Sequence, residues 1–214
     1  MTLKHFWTDP YQHHLSTTIA SVDGPRVTLA ETIFFAFSGG QESDRGTIAT
    51  HPVLNAEKLG KEIVYTLPDA HGLAVGDPVE VAIDGERRYR LMRLHFAAEL
   101  VLELCYRRFA GIEKIGAHIS EDKARLDFLW PVSLSPELPA LLAAVDGLVD
   151  ADSEIVSAFD DEASERRSWS IAGFARVPCG GTHLRRTGEV GRLRLKRHNV
   201  GRGKERIEIT LVET

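Results

Sequence analysis

A change of hydrophobic period near the middle constrains this chain more than any other feature. In "RLMRLHFAAELVLELCYRRFAG", residues Leu91, Leu94, Ala98, Val101, Leu102, Cys105 and Phe109 recur three and four apart. That is the spacing of one helix face, and Gly111 marks its C-terminal stop. Upstream, "VDGPR", "FSGGQESDRG", "LPDAHG" and "VGDP" cut the chain into short alternating runs such as "RVTLAETIFFAF", "KEIVYTL" and "PVEVAID". Such runs between Gly, Pro and Asp turns predict strands of a small β-barrel or sandwich, with "DGERR" as a turn before the helix. Two parts are expected, residues 1–87 and 88–214, meeting near Arg87.

Downstream of the helix, "EKIGAHI" and "ARLDFLW" read as a strand pair across "SEDK". Ser135 as N-cap and Pro136 at the first helical position open a second helix, "ELPALLAAVDGLV", in which Pro139 sits less comfortably. "SEIVSAF", "GRLRLKRH" and "ERIEITLVE" supply further strands. The expected class is α+β: strands first, then helices packed on a mostly antiparallel sheet.

No run of about 18 apolar residues occurs, and the N-terminal stretch has no signal-peptide apolar core, so a cytoplasmic protein is expected. Two cysteines are too few for a disulfide framework. Cys105, on the helix, reads as core, which leaves Cys179 for ligation or reactivity. The net charge of −5 conceals an asymmetry: Asp146 to Glu165 carries eight acidic residues and no Lys or Arg, whereas Arg185 to Arg206 carries nine basic residues against Glu189 and Glu205. The basic stretch is either a solvated strand face or a surface for a polyanion.

"PCGGTH" sets Cys179 and His183 four positions apart across Gly180 and Gly181. Two ligands do not close a four-coordinate site. On the helix, His95 and Glu99 share a face at i and i+4 and can aim an imidazole and a carboxylate at one point. Together these four residues make an N, O, S, N donor set suited to Zn2+. Each half alone is common by chance, as a surface ion pair or as a turn. No nucleophile elbow, phosphate-loop lysine or H-E-x-x-H occurs, which excludes those serine hydrolases, nucleotide hydrolases and metalloproteases. His13 and His14 read as surface residues, and Trp7, Trp130 and Trp169 as packing anchors.

"FFAFSGGQESDRG" (Phe34 to Gly46) resembles the editing-region pattern F-Y-A-E-S-G-G-Q-x-x-D-x-G of alanyl-tRNA synthetases, and "CGGTHLRRTGEVG" resembles C-G-G-T-H-x-x-x-T-G-E-I-G. Gly39, Gly40, Gln41, Asp44 and Gly46 match, while Phe35 and Phe37 replace Tyr and Glu. "VGDPVEVAIDGERRYRLMRLH" and "GAHISEDKARLDF" are similar to the segments between, in the same order. The resemblance implies a free-standing editing protein of the medium-length AlaX family, an N-terminal barrel before a zinc-bearing editing domain. It implies hydrolysis of Ser-tRNA(Ala), and of Gly-tRNA(Ala), in trans. Metal ligands carry over onto His95, Cys179 and His183, and the second His of H-x-x-x-H falls on Glu99, as ligand or as general base. Gly180 and Gly181 would lend backbone amides to an oxyanion. Ala98 stands where the family often has Thr, and "EKIGA" lacks the family's Gln, so groups that would discriminate serine are absent from their expected places. The tRNA would lie on Arg185, Arg186, Arg192, Arg194, Lys196 and Arg197, of which Arg192, Arg194 and Lys196 share one strand face. A tRNA-binding module without turnover and a hydrolase of another misacylated tRNA fit the same residues. Monomer and homodimer are equally compatible with the sequence.

Overall fold

The computed structural model describes residues 2–212. It comprises two compact units: the chain up to Ser38 with Glu42–Tyr89, and Gly39–Gln41 with Arg90 onward. The helix α1 (Gly85–Arg108) runs through the division after Tyr89. Among the described residues no helix is long and apolar enough to cross a membrane.

The first unit is built from β1 (Leu3–Lys4), β2 (His14–Asp23), β3 (Arg26–Leu29), β4 (Glu31–Thr32), β5 (Gly46–Ile48), β6 (His51–Pro52), β7 (Asn55–Leu59), β8 (Glu62–Thr66) and β9 (Pro78–Ile83). Seven of these strands form one sheet in the order β6-β5-β9-β2-β3-β8-β7, and β1 pairs with β4. Its two outermost strands, β6 and β7, are consecutive in the chain, separated only by Val53 and Leu54. Laid flat, strands about 4.8 Å apart would put those edges roughly 29 Å from each other. A two-residue link reaches only about 10 Å. The sheet must therefore curl, and the barrel anticipated from the short alternating runs is realised as a curled half-barrel. Alternation sends Ile63 and Tyr65 of β8 and Val79, Val81 and Ile83 of β9 inward, onto Ile19, Leu29 and Phe34.

"DGERR" is not a turn. The Asp84 carboxylate accepts the Arg87 N–H at 3.0 Å and its carbonyl accepts the Arg88 N–H, so Asp84 is the N-cap and α1 starts at Gly85. Arg87 and Arg88 then reach back to the glycine-motif loop. Arg87 donates to the Ser43 carbonyl and to Glu42, both at 2.6 Å. Arg88, wholly buried, donates through Nε to Asp44 at 2.8 Å, through Nη2 to the second Asp44 oxygen, and to the Pro10 and Ile33 carbonyls at 2.9 and 2.7 Å. Asp44 also accepts the Phe35 N–H at 2.6 Å. The matched Asp44 is thus the anchor of its own loop.

In the second unit α1 is buried from Leu91 to Leu102 at every residue except Arg93 and Glu99. This exceeds the single stripe expected from its spacing, as befits a helix covered on all sides. β10 (Glu113–Ile119) and β11 (Ala124–Leu129) form the anticipated hairpin, joined by β16 (Lys204–Leu211) and β15 (Leu193–Gly201) in an antiparallel sheet ordered β10-β11-β16-β15. β12 (Val156–Asp161), β13 (Arg166–Ile171) and β14 (Ala175–Pro178) make a second, three-stranded antiparallel sheet. The fold is α+β. Ser135 does not cap a helix: it opens a 3-10 turn, Ser135–Glu137, and α2 (Leu138–Asp150) follows without a side-chain cap. Pro139 falls in the first turn of α2, where the missing N–H has no intrahelical partner to lose.

Breaking a buried bidentate pair leaves an uncompensated charge inside the protein. Arg88→Ala is expected to lower stability by about 3–5 kcal/mol in denaturant titrations followed by circular dichroism. Arg88→Lys, which keeps the charge and loses the fork, should lose less.

Candidate metal centre

α1 supplies His95 and Glu99 from successive turns of one face. The opposite side of the site comes from the end of β14, where the Cys179 N–H extends the ladder by donating to the Arg167 carbonyl at 2.9 Å. From there the chain turns through Gly180, Gly181 and Thr182 to His183. Ligand atoms of His95, Cys179 and His183 all lie within 4.8 Å of one another. Donors of a tetrahedral site with bonds of about 2.0–2.3 Å stand roughly 3.3–3.8 Å apart, so a small inward adjustment accommodates an ion. Glu99 stands beside this trio, its Oε1 3.6 Å from His95 Nε2 and 3.5 Å from Cys179 Sγ. His95 Nε2 is 3.3 Å from that sulfur.

The electrostatics suit a cation. Burial lowers the His95 pKa against the opposing pull of Glu99, and lowers that of His183 well below the usual value, helped by His95 and Arg167. Both rings are thereby kept neutral, with lone pairs available. Burial first, and then the Glu99 charge, push the Cys179 thiol up, opposed by the Gly181 N–H and Arg167. His183 Nδ1 shares a 2.8 Å hydrogen bond with Ser157 Oγ, and its Nε2 is buried without a protein partner. A group of mutually close N, S and N donors, one of them an orphaned buried nitrogen, fits a zinc-like ion.

Two glycines of "CGGTH" have different surroundings. A Cβ on Gly181 would lie 2.5 Å from His95 Cε1 and 2.8 Å from its Nε2, whereas one on Gly180 would meet nothing within 4 Å. The Gly181 N–H is engaged with the Cys179 sulfur. Gln41 is fully buried and donates to Thr182 Oγ1 at 2.9 Å, so the glycine-motif segment reaches the "CGGTH" turn itself. The Gly40 carbonyl accepts the Ile119 N–H at 2.8 Å. Gly40 has φ +91 and room for no Cβ, since one would stand 2.6 Å from the Ala117 carbonyl oxygen. Gly39 precedes it in the same segment, while Asp44 and Gly46 belong to the first unit, Gly46 in β5.

Three of the six basic candidates already hold carboxylates. Arg186 bonds Asp152 at 2.7 Å, Arg192 bonds Asp150 and Asp146 at 2.7 and 3.3 Å, and Arg197 bonds both oxygens of Glu205. The Arg185 N–H donates to Glu189 at 2.9 Å. Arg194 and Lys196 are exposed on the edge strand β15, opposite Thr210 and Glu208 of β16. Sequence reasoning missed Ser157, which looked like any strand residue, and it took Trp169 for packing alone. Trp169 does pack, 5.1 Å from the Phe96 ring, but its Nε1–H also donates to Glu99 Oε2 at 3.3 Å. Nothing local to either residue signals these partners.

Gly181→Ala is expected to weaken zinc binding more than tenfold in chelator competition, because the new methyl displaces the His95 ring. Gly180→Ala should bind as the unaltered protein does.

Comparison with known proteins places these residues in a family. Residues 170–208, which include Cys179 and His183, match the threonyl and alanyl tRNA synthetase second additional domain. An alanyl-tRNA editing protein AlaX-M of Pyrococcus horikoshii is 32% identical over 216 residues, covering 99% of this chain and 98% of that protein. The AlaX-M of Methanosarcina barkeri is 29% identical over the full length of both chains. An alanine–tRNA ligase of Ignicoccus hospitalis is 32% identical across 91% of this chain but only 24% of the ligase, so the likeness is to one portion of that enzyme. Near-complete coverage of both partners at this identity establishes that the chain belongs to the alanyl-tRNA editing proteins of the AlaX-M family.

Proposed function

We propose that this chain hydrolyses the ester of mischarged tRNA(Ala) in trans, with Ser-tRNA(Ala) as principal and Gly-tRNA(Ala) as second substrate, using a zinc ion. The observation that carries this reading is the convergence of His95, Cys179 and His183 on one point within a family named for alanyl-tRNA editing. The need for such an activity is physical: a pocket that holds alanine rejects serine, one hydroxyl larger, only weakly, so a second, hydrolytic site must remove the error.

Zinc bound by these three residues would supply Lewis-acid polarisation. The remaining work belongs to the chain. Glu99, beside the trio rather than within it, takes the proton of the attacking water and passes it to the departing ribose oxygen, which leaves as the hydroxyl. The water oxygen bonds to the ester carbon as the bond from that carbon to the ribose oxygen breaks. The Gly180–Gly181 backbone steadies charge on the carbonyl oxygen, the Gly181 N–H being shared with Cys179. A fourth permanent protein ligand would close the site to substrate, which favours Glu99 as base over Glu99 as ligand.

For tRNA, Arg194 and Lys196 are the leading phosphate contacts, because Arg186, Arg192 and Arg197 are occupied by Asp152, Asp146 with Asp150, and Glu205. The double substitution Arg194→Ala with Lys196→Ala should weaken tRNA binding and reduce the slope of log affinity against log salt by about 2. An unchanged slope would move the RNA surface elsewhere.

Labelled Ser-, Gly- and Ala-tRNA(Ala) incubated with the pure protein test the activity. Ser- and Gly-tRNA(Ala) should be deacylated and Ala-tRNA(Ala) spared, chelation should abolish turnover, and Glu99→Gln should lower it at least a hundredfold. No turnover of any substrate by zinc-loaded protein would overturn the hydrolase and leave a tRNA-binding module.

A further inference from the structure

The donors of the candidate metal centre come from α1 and from the chain after β14, yet one of them, His183, and the neighbouring Glu99 are both hydrogen-bonded by a third element. Ser157 of β12 and Trp169 of β13 are direct cross-strand partners in the three-stranded sheet. From this one rung, Ser157 Oγ binds His183 Nδ1 at 2.8 Å and the indole N–H of Trp169 binds Glu99 Oε2 at 3.3 Å. Two residues along, on the same face of the sheet, Phe159 pairs with Arg167, whose guanidinium lies 5.2 Å from the Phe159 ring and donates to the Gly181 carbonyl at 3.4 Å.

We propose that the Ser157–Trp169 pair is the positioning device of this centre, Ser157 fixing the His183 ring and Trp169 fixing which oxygen of Glu99 faces the ion. The inference rests on the reading that His95, Cys179 and His183 hold a zinc ion. An imidazole ligand is useful only in one tautomer and one ring orientation, and the hydrogen bond on its other nitrogen sets both. With Nδ1 engaged by Ser157, His183 keeps Nε2, buried and without a protein partner, for the ion. Glutamate poses a different problem, since its carboxylate has two equivalent oxygens on a flexible stem. Trp169 is fully buried and wedged edge-on against Phe96, so its N–H is a rigid donor. It occupies Oε2 and leaves Oε1 as the oxygen nearest His95 Nε2 and Cys179 Sγ. The carboxylate is thereby held beside the donor trio, where its charge would strengthen the attraction for a bound cation whether or not hydrolysis follows. Cross-strand pairing makes the two contacts one geometric unit: sliding β12 against β13 would lose both.

Zinc affinity of the full chain, measured by chelator competition, tests this without reference to turnover. Ser157→Ala is expected to weaken binding about tenfold and Ser157→Thr, which keeps the hydroxyl, to restore it. Trp169→Phe, which keeps the packing and loses the N–H, should also weaken binding about tenfold. In a Glu99→Gln background Trp169→Phe should add little, because it acts through that carboxylate. Should Trp169→Phe fail to fold, the Trp169 indole N–H proton resonance in the otherwise unaltered chain serves instead, and Glu99→Gln must shift it. Unchanged affinity in Ser157→Ala, additive losses from Trp169→Phe and Glu99→Gln, or an indole resonance indifferent to Glu99 would overturn the proposal. A chain that binds zinc with these dependences yet deacylates nothing would sink the editing reading alone, and one that takes up no zinc would sink both.

Discussion

Four titratable groups, His95, Glu99, Cys179 and His183, are gathered where water is largely excluded, and that desolvation governs the surrounding design. Burial pulls both imidazole pKa values down and pushes that of the Cys179 thiol up, favouring the uncharged form of each donor beside Glu99. A divalent cation bound there would offset this cost by drawing the thiolate form out of Cys179 and setting opposite charge near the Glu99 carboxylate. Such a site needs stiff walls, because a side chain free to turn away would lose the ion. α1 provides one wall by being buried on nearly every side between Leu91 and Leu102. The three-stranded sheet provides another through Ser157, Trp169 and Arg167.

Glycine has two separate purposes around the centre. At Gly181 a side chain would collide with the His95 ring, so the requirement is for space. At Gly40 both the backbone conformation and the Ala117 carbonyl demand the absence of Cβ, so that Gln41 can be delivered to Thr182. Motif matches that look alike as letters therefore answer to different physical needs. Asp44 illustrates the same point, being consumed in holding Arg88 and the Phe35 amide.

The charge asymmetry along the chain is partly an internal matter. Asp146, Asp150 and Asp152 from the acidic stretch meet Arg192 and Arg186 from the basic one. These pairs are exposed and contribute little to stability, but they reduce the unbalanced basic surface to fewer residues than a count of lysines and arginines suggests. Arg194 and Lys196 remain exposed, on an edge strand that such charges also protect from pairing with another chain.

The sequence by itself determined what depends on near neighbours. The i, i+4 spacing of His95 and Glu99, the helix through Leu91 and Cys105, the hairpin of β10 and β11 and the turn that joins Cys179 to His183 are local, and were legible from period and composition. The motif order revealed the family for the same reason. Two local misreadings, "DGERR" as a turn and Ser135 as a cap, arose where several residues could start a helix and only the Asp84 hydrogen bond and the 3-10 turn settle which does. Tertiary structure alone decided the rest. Ser157 with His183, Glu99 with Trp169, and Gln41 with Thr182 are 26, 70 and 141 positions apart. No periodicity reports such pairs, because they exist only once strand register and helix packing have brought distant backbone together. The same register made a hydroxyl and an indole neighbours, turning a strand serine and a packing tryptophan into hydrogen-bond partners of His183 and Glu99.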